Sequence, residues 1–114
     1  MRWVVRDTPK GAVIVPEKAL YCPFCGRRML LHDFRAIHQR GHPGGEFWHA
    51  DVHLKCPNCS FWATFGVPIG PEEYERLSKS RLNGRLLRWD LVEAGLLGDE
   101  GEEVRRRLEA LGYW

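Results

Sequence analysis

Cys22-Pro23-Phe24-Cys25-Gly26 and Cys56-Pro57-Asn58-Cys59-Ser60 are the two stretches around which this 114-residue chain is organised. They hold all four cysteines, and thirty residues separate Cys25 from Cys56. A tetrahedral Zn²⁺ site needs four ligands at about 2.3 Å, and a tight turn with two residues between its cysteines supplies two of them. Pro23 and Pro57 preset the turn and remove an N–H that would need a partner. Gly26 can take the positive φ that closes such a turn. The doubled motif therefore predicts one structural metal held by Cys22, Cys25, Cys56 and Cys59.

Two other uses of four cysteines fit less well. A pair of disulfides suits a secreted chain, and the N-terminus shows no signal peptide. A thiol redox motif uses one Cys-x-x-Cys, commonly in a βαβ setting that this sequence lacks. The expectation is a cytoplasmic chain in a reducing compartment.

The two knuckles and the strands around them, roughly residues 20–68, resemble the zinc-ribbon and rubredoxin-like folds. The resemblance implies two knuckles at the tips of β-hairpins clamping one metal. It implies function only weakly, because zinc ribbons serve unrelated machines. Rubredoxins bind iron with the same spacing, but they are acidic and usually carry an aromatic pair soon after the first knuckle. Here Arg27-Arg28-Met29 follows Gly26. Zinc, one per chain, is the first expectation and iron the alternative.

Working outward, residues 2–6 and 12–15 read as short strands around the turn cluster Asp7-Thr8-Pro9-Lys10-Gly11, an N-terminal hairpin lying along the ribbon. Residues 28–38 form a strand leaving the first knuckle. Residues 39–46, with Gly41, Pro43, Gly44 and Gly45, read as a mobile loop. Residues 47–55 alternate strictly, Trp48, Ala50, Val52 and Leu54 against His49, Asp51, His53 and Lys55. A third strand covers 61–67 and ends at Pro68.

Gly70-Pro71-Glu72-Glu73 opens a helix, with proline at the first helical position and carboxylates in the first turn. The expected end is near Leu82, closed by Asn83-Gly84. A second helical segment is expected over 85–97, and a third from about Asp99 to Leu111 with Gly112 as its stop. The predicted fold is a small α+β protein. Residues 1–69 form a three-stranded antiparallel zinc ribbon, and 70–114 a helical appendage of two to three helices.

The ribbon alone is too small to rely on burial, so the metal is expected to supply folding free energy. No apolar run approaches the ~18 residues that span a bilayer. Arginine far outnumbers lysine and Asn and Gln are scarce, a bias compatible with a thermophilic source. Net charge is +2, unevenly spread: residues 1–70 hold nine Lys/Arg against five Asp/Glu, and 71–114 hold eight against ten.

The positive half carries Arg27, Arg28, Arg35, Arg40 and Lys55 among aromatic residues, a composition that suits phosphates and unpaired bases. RNA or DNA, or a place within a nucleic-acid machine, is the leading expectation. A protein partner docking on the C-terminal helices is its rival. His49, Asp51 and His53 project from one strand face and are a candidate second polar site, with a solvated face as the simpler account. His32, His38 and His42 are possible additions to that set; regular alternation puts Asp33 and Arg35 on the face opposite His32. There is no His-Glu-x-x-His motif, phosphate loop or serine elbow. No enzymatic role is expected.

Overall fold

The computed structural model describes residues 1–85, 87 and 98–112, with side chains left out for His42 and residues 98–102. Five strands and two helices follow in the order β1 (Trp3–Thr8), β2 (Gly11–Pro16), β3 (Leu30–His42), β4 (Gly45–Lys55), β5 (Trp62–Pro68), α1 (Pro71–Ser78) and α2 (Gly98–Leu111). The class is α+β, with a two-stranded sheet β1-β2 and a three-stranded antiparallel sheet β3-β4-β5. Among the described residues no helix is long and apolar enough to cross a membrane.

The alternation of β4 sets the geometry. Ala50, Val52 and Leu54 are buried, and each faces a buried or half-buried partner on both neighbours. On β5 the same face carries Ala63, Phe65 and Val67. The β1-β2 hairpin lies on this inner face. Trp3 meets Phe65 with ring centroids 5.0 Å apart, and Ala12, Val13, Ile14 and Val15 are all buried. Such a continuous apolar run marks a strand covered on both faces. Leu77, Leu82, Leu87, Val104 and Leu108 join the same buried cluster as Ile14 and Phe34.

Four expectations are corrected. Residues 39–46 are not a mobile loop: β3 and β4 continue to His42 and Gly45, and only Pro43 and Gly44 turn. Gly41 (φ 72°) and Gly45 (φ 99°) absorb the bulge and the reversal, so these glycines serve the hairpin. Helix α1 ends at Ser78, short of Leu82. Its exit is fixed by Ser80, whose buried side chain accepts a bond from Leu82 N–H (3.2 Å) while Arg81 N–H donates to the Lys10 carbonyl (3.0 Å).

The third correction concerns Asn83 and Gly84, which run beside β3. Asn83 Oδ1 accepts from Ala36 N–H (2.9 Å), Gly84 N–H donates to Phe34 O (2.8 Å), and Leu87 N–H donates to His32 O (2.7 Å). His32, Phe34 and Ala36, alternate residues of the β3 edge, are thereby each engaged through one backbone group. The helix expected over 85–97 does not include Arg85 and Leu87, which lie in this edge segment; its remainder falls outside the described residues.

The fourth is local. A register shift between Leu31 and Asp33 makes His32 the extra residue of a bulge. His32 then lies 3.4 Å from the Asp33 carboxylate and edge-on to Trp62, centroids 4.3 Å apart, and does not face away from Asp33.

Candidate metal centre

Both knuckles are tight antiparallel turns. In the first, Cys22 N–H donates to Arg27 O (2.7 Å), Met29 N–H to Leu20 O (2.8 Å) and Gly26 N–H to Cys22 O (2.9 Å). Gly26 sits at φ 74°, a conformation that costs a residue with a Cβ. In the second, Cys56 continues directly from β4, and its N–H donates to Phe61 O (3.0 Å), which returns the chain into β5. The strand pairing thus delivers two turns to one end of the sheet.

There the four sulfurs converge, all within 4.8 Å of one another. The Cys22–Cys59, Cys25–Cys56 and Cys56–Cys59 separations are 3.6, 3.4 and 3.6 Å. A tetrahedron with metal–sulfur bonds of about 2.3 Å has edges of about 3.8 Å, whereas a disulfide needs about 2.05 Å. The spacing fits four thiolates around one metal ion, and the cysteines are unbridged. Cys22 and Cys56 are buried and Cys25 is exposed, so the site lies at the rim of the core.

The electrostatics agree. Burial pushes the Cys56 thiol up, but the N–H groups of Cys59 (3.3 Å) and Asn58 (3.4 Å), helped by the Cys25 and Cys59 thiols, outweigh it and draw it from 9.0 down to about 6. Cys59 moves the other way. Its contacts with the sulfurs of Cys25, Cys22 and Cys56, then burial and the charge of Cys22, push its thiol far up. Four sulfurs this close do not all ionise without a cation among them, and a bound dication removes that conflict.

The remaining candidate residues are dispersed. By strand alternation Arg35 and Lys55 share the outer face of the three-stranded sheet, while Arg40 lies in the irregular stretch between Gln39 and His42 near the hairpin tip. Lys55 Nζ lies 5.3 Å from the centre of the Trp62 ring. Arg27 is exposed at the first knuckle. Arg28 is half-buried with its guanidinium against Gly112, where an added Cβ would meet its nitrogens at 2.8 and 2.9 Å. It therefore sits at the C-terminal end of α2, where a cation complements the helix dipole.

His49, Asp51 and His53 share the outer face but do not converge. His49 Nδ1 lies 3.3 Å from Asp51 Oδ1, whereas His53 Nδ1 donates a hydrogen bond to Asp33, its partner on β3. Among the described residues only the four cysteines bring three or more candidate ligand atoms within 4.8 Å of one another. His38 belongs elsewhere, stacked on Trp48 (4.9 Å) and met by Tyr74 of α1 (5.6 Å). The Asp33–His53 pair was visible in the sequence only as two polar residues twenty positions apart.

The feature that composition concealed is which aromatics stay outside. Phe24 is 78% exposed, Tyr21 63% and Trp62 43%, and these three flank the knuckles, while the exposed Phe47 lies near the β3-β4 hairpin tip. Phe24 also meets Phe61 edge-on at 5.4 Å across the two knuckles. No protein-family model matches this chain, and no curated protein or solved structure matches it.

Proposed function

We propose that this chain is a binding module whose fold is fastened by one structural zinc on Cys22, Cys25, Cys56 and Cys59, and that its metal end contacts single-stranded RNA or DNA. Four protein ligands leave no coordination position for a substrate, which marks structural sites and favours a non-catalytic role. The observation that carries the nucleic-acid reading is the ring of exposed aromatics, Tyr21, Phe24 and Trp62, interleaved with Arg27 and Lys55. Aromatic faces stack on unpaired bases and cations neutralise phosphates, a combination that binds strands with little sequence preference.

The test is fluorescence anisotropy of the metal-loaded full chain with mixed single-stranded oligonucleotides. Binding at low salt should weaken steadily as salt rises and be reduced in both Phe24→Ala and Arg27→Glu. No binding at low salt defeats the reading. The Phe24–Phe61 contact, an apolar pair left at the surface, favours a second reading in which a protein partner covers the knuckles. In that case Phe24→Ala would abolish partner capture while Arg27→Glu would not. Elemental analysis separates the metals: zinc leaves the protein colourless, whereas iron would colour it and make the centre an electron carrier.

A further inference from the structure

The three-stranded sheet has two long edges, and the described residues cover one of them. On β5 the odd residues bond to β4: Phe61 O accepts from Cys56 N–H, and Ile69 N–H donates to Trp48 O. The pairing of β4 with β5 keeps one register from Lys55–Trp62 to His49–Pro68. The N–H and C=O groups of Trp62, Thr64 and Gly66 therefore point away from β4. All three residues are exposed, and no described residue pairs with those groups. The strand has no charge and no bulge, and its proline comes only at the last position. It lacks the devices that ordinarily blunt an edge.

We propose that β5 pairs with the β5 of a second copy of this chain, antiparallel about a two-fold axis at Thr64, so that two three-stranded sheets become one of six. The sequence of the edge is complementary to itself in that register. Trp62 faces Gly66 of the copy, and Thr64 faces Thr64. Each of these facing pairs exchanges two backbone hydrogen bonds, because each member has its N–H. The next residue, Pro68, has no N–H and would face Ser60, which already belongs to the second knuckle; the ladder stops there on both sides.

Side chains agree with the backbone. A Cβ built on Gly66 meets nothing within 4 Å, so the space above it is open. The Trp62 ring leans across β4 toward His32 (centroids 4.3 Å) and Lys55, so it leaves the seam open to the backbone of the copy, twice per dimer by symmetry. A Thr–Thr pair across the seam is a favourable sheet neighbour. With no charge on the strand, two copies meet without repulsion at the seam. A seam of one strand pair is smaller than the roughly 1,200 Å² of a stable interface, so the dimer dissociates on dilution.

Sedimentation velocity of the metal-loaded full chain over a wide concentration range tests this. The wild type should pass from monomer to dimer as concentration rises. Gly66→Lys places a charge on each strand of the seam, and Thr64→Pro removes the central N–H, which does not serve the β4 ladder. Loss of two hydrogen bonds, or a pair of like charges placed at the seam, should weaken the dimer about ten-fold or more. Circular dichroism confirms that each variant folds; if Thr64→Pro does not, Gly66→Lys still decides. A wild type that stays monomeric up to its solubility limit overturns the proposal, including the case in which the edge accepts a foreign peptide. A dimer unchanged in a folded Gly66→Lys overturns it as well. Neither outcome bears on oligonucleotide binding by Phe24 and Arg27, which is read separately.

Discussion

The two edges of the three-stranded sheet carry the same backbone chemistry and meet opposite fates. Along β3 the outward His32 C=O, Phe34 C=O and Ala36 N–H are taken by residues 83–87, through Leu87 N–H, Gly84 N–H and Asn83 Oδ1. Along β5 the outward groups of Trp62, Thr64 and Gly66 have no partner among the described residues. The difference does not lie in the strands themselves. It lies in where α1 ends. The chain leaves Ser78, is pinned at Ser80 against the β1-β2 turn, and is thereby laid along one edge and not the other. An edge inside a folded chain is closed by whatever segment the neighbouring element delivers to it.

The strongest way to break this contrast is to remove what both edges share. β4 lies between them and runs into Cys56. Stripping the proposed zinc with a chelator at neutral pH should erase most β-signal in circular dichroism, since structural zinc contributes about 10–16 kcal/mol in zinc-finger peptides. Full retention of structure would show that the hydrophobic core suffices alone.

A smaller effect comes from Gly11→Ala. Gly11 sits at φ 125°, and a Cβ there would meet Ser80 Cα at 2.7 Å. The backbone strain costs about 1–3 kcal/mol, and the clash adds to it by displacing the start of the β3-capping segment. Thermal denaturation should show a large fall in Tm, and hydrogen exchange should rise at Ala36. An unchanged Ala36 amide would separate the Ser80 clamp from the edge.

Asn83→Ala tests the covered edge directly. It leaves the Ala36 N–H without its acceptor, at about 1–3 kcal/mol. The matched change on the open edge, Thr64→Lys, should alter monomer stability by no more than about 0.5 kcal/mol, because an exposed residue without partners is lost. Equal costs in chemical denaturation would mean that the edges do not differ.

The smallest effect belongs to a pair that touches neither edge. Lys79 holds the Glu75 carboxyl below its ordinary value through a 2.8 Å ion pair on the surface of the α1 exit. A carboxyl lowered on folding contributes stability that is present at neutral pH and is lost as pH falls through the carboxylate range. Glu75→Gln should therefore make only a slight difference at pH 7, and none in acid or in high salt. A large effect at any pH would reveal a role for this pair beyond the helix surface.

Much of this was legible in residues 20–70. The convergence of the four cysteines follows from spacing, and the β4 faces from strict alternation. The α1 start follows from Gly70-Pro71 with Glu73, whose carboxylate accepts from Gly70 N–H at 3.0 Å. Gly112, at φ 83°, follows α2 as its sequence predicted. What misled was Asn83-Gly84, which reads as a helix stop because both residues tolerate turns. Its real use depends on Ala36, forty-seven positions away. The His32 bulge was equally hidden, because an extra residue is visible only against the partner strand.

By itself, then, the sequence determined what depends on neighbours along the chain: the cysteine turns, the period-two strand, the proline at the helix start and the α+β class. The tertiary structure decided which exposed groups meet. It chose Asn83 to close β3, gave His53 to Asp33 and not to His49, set Arg28 against Gly112, and left Trp62 and Phe24 outside. Local preferences are set by sterics within a few residues. Edge pairing and side-chain partnership are set by distances between segments, which exist only once the chain has folded.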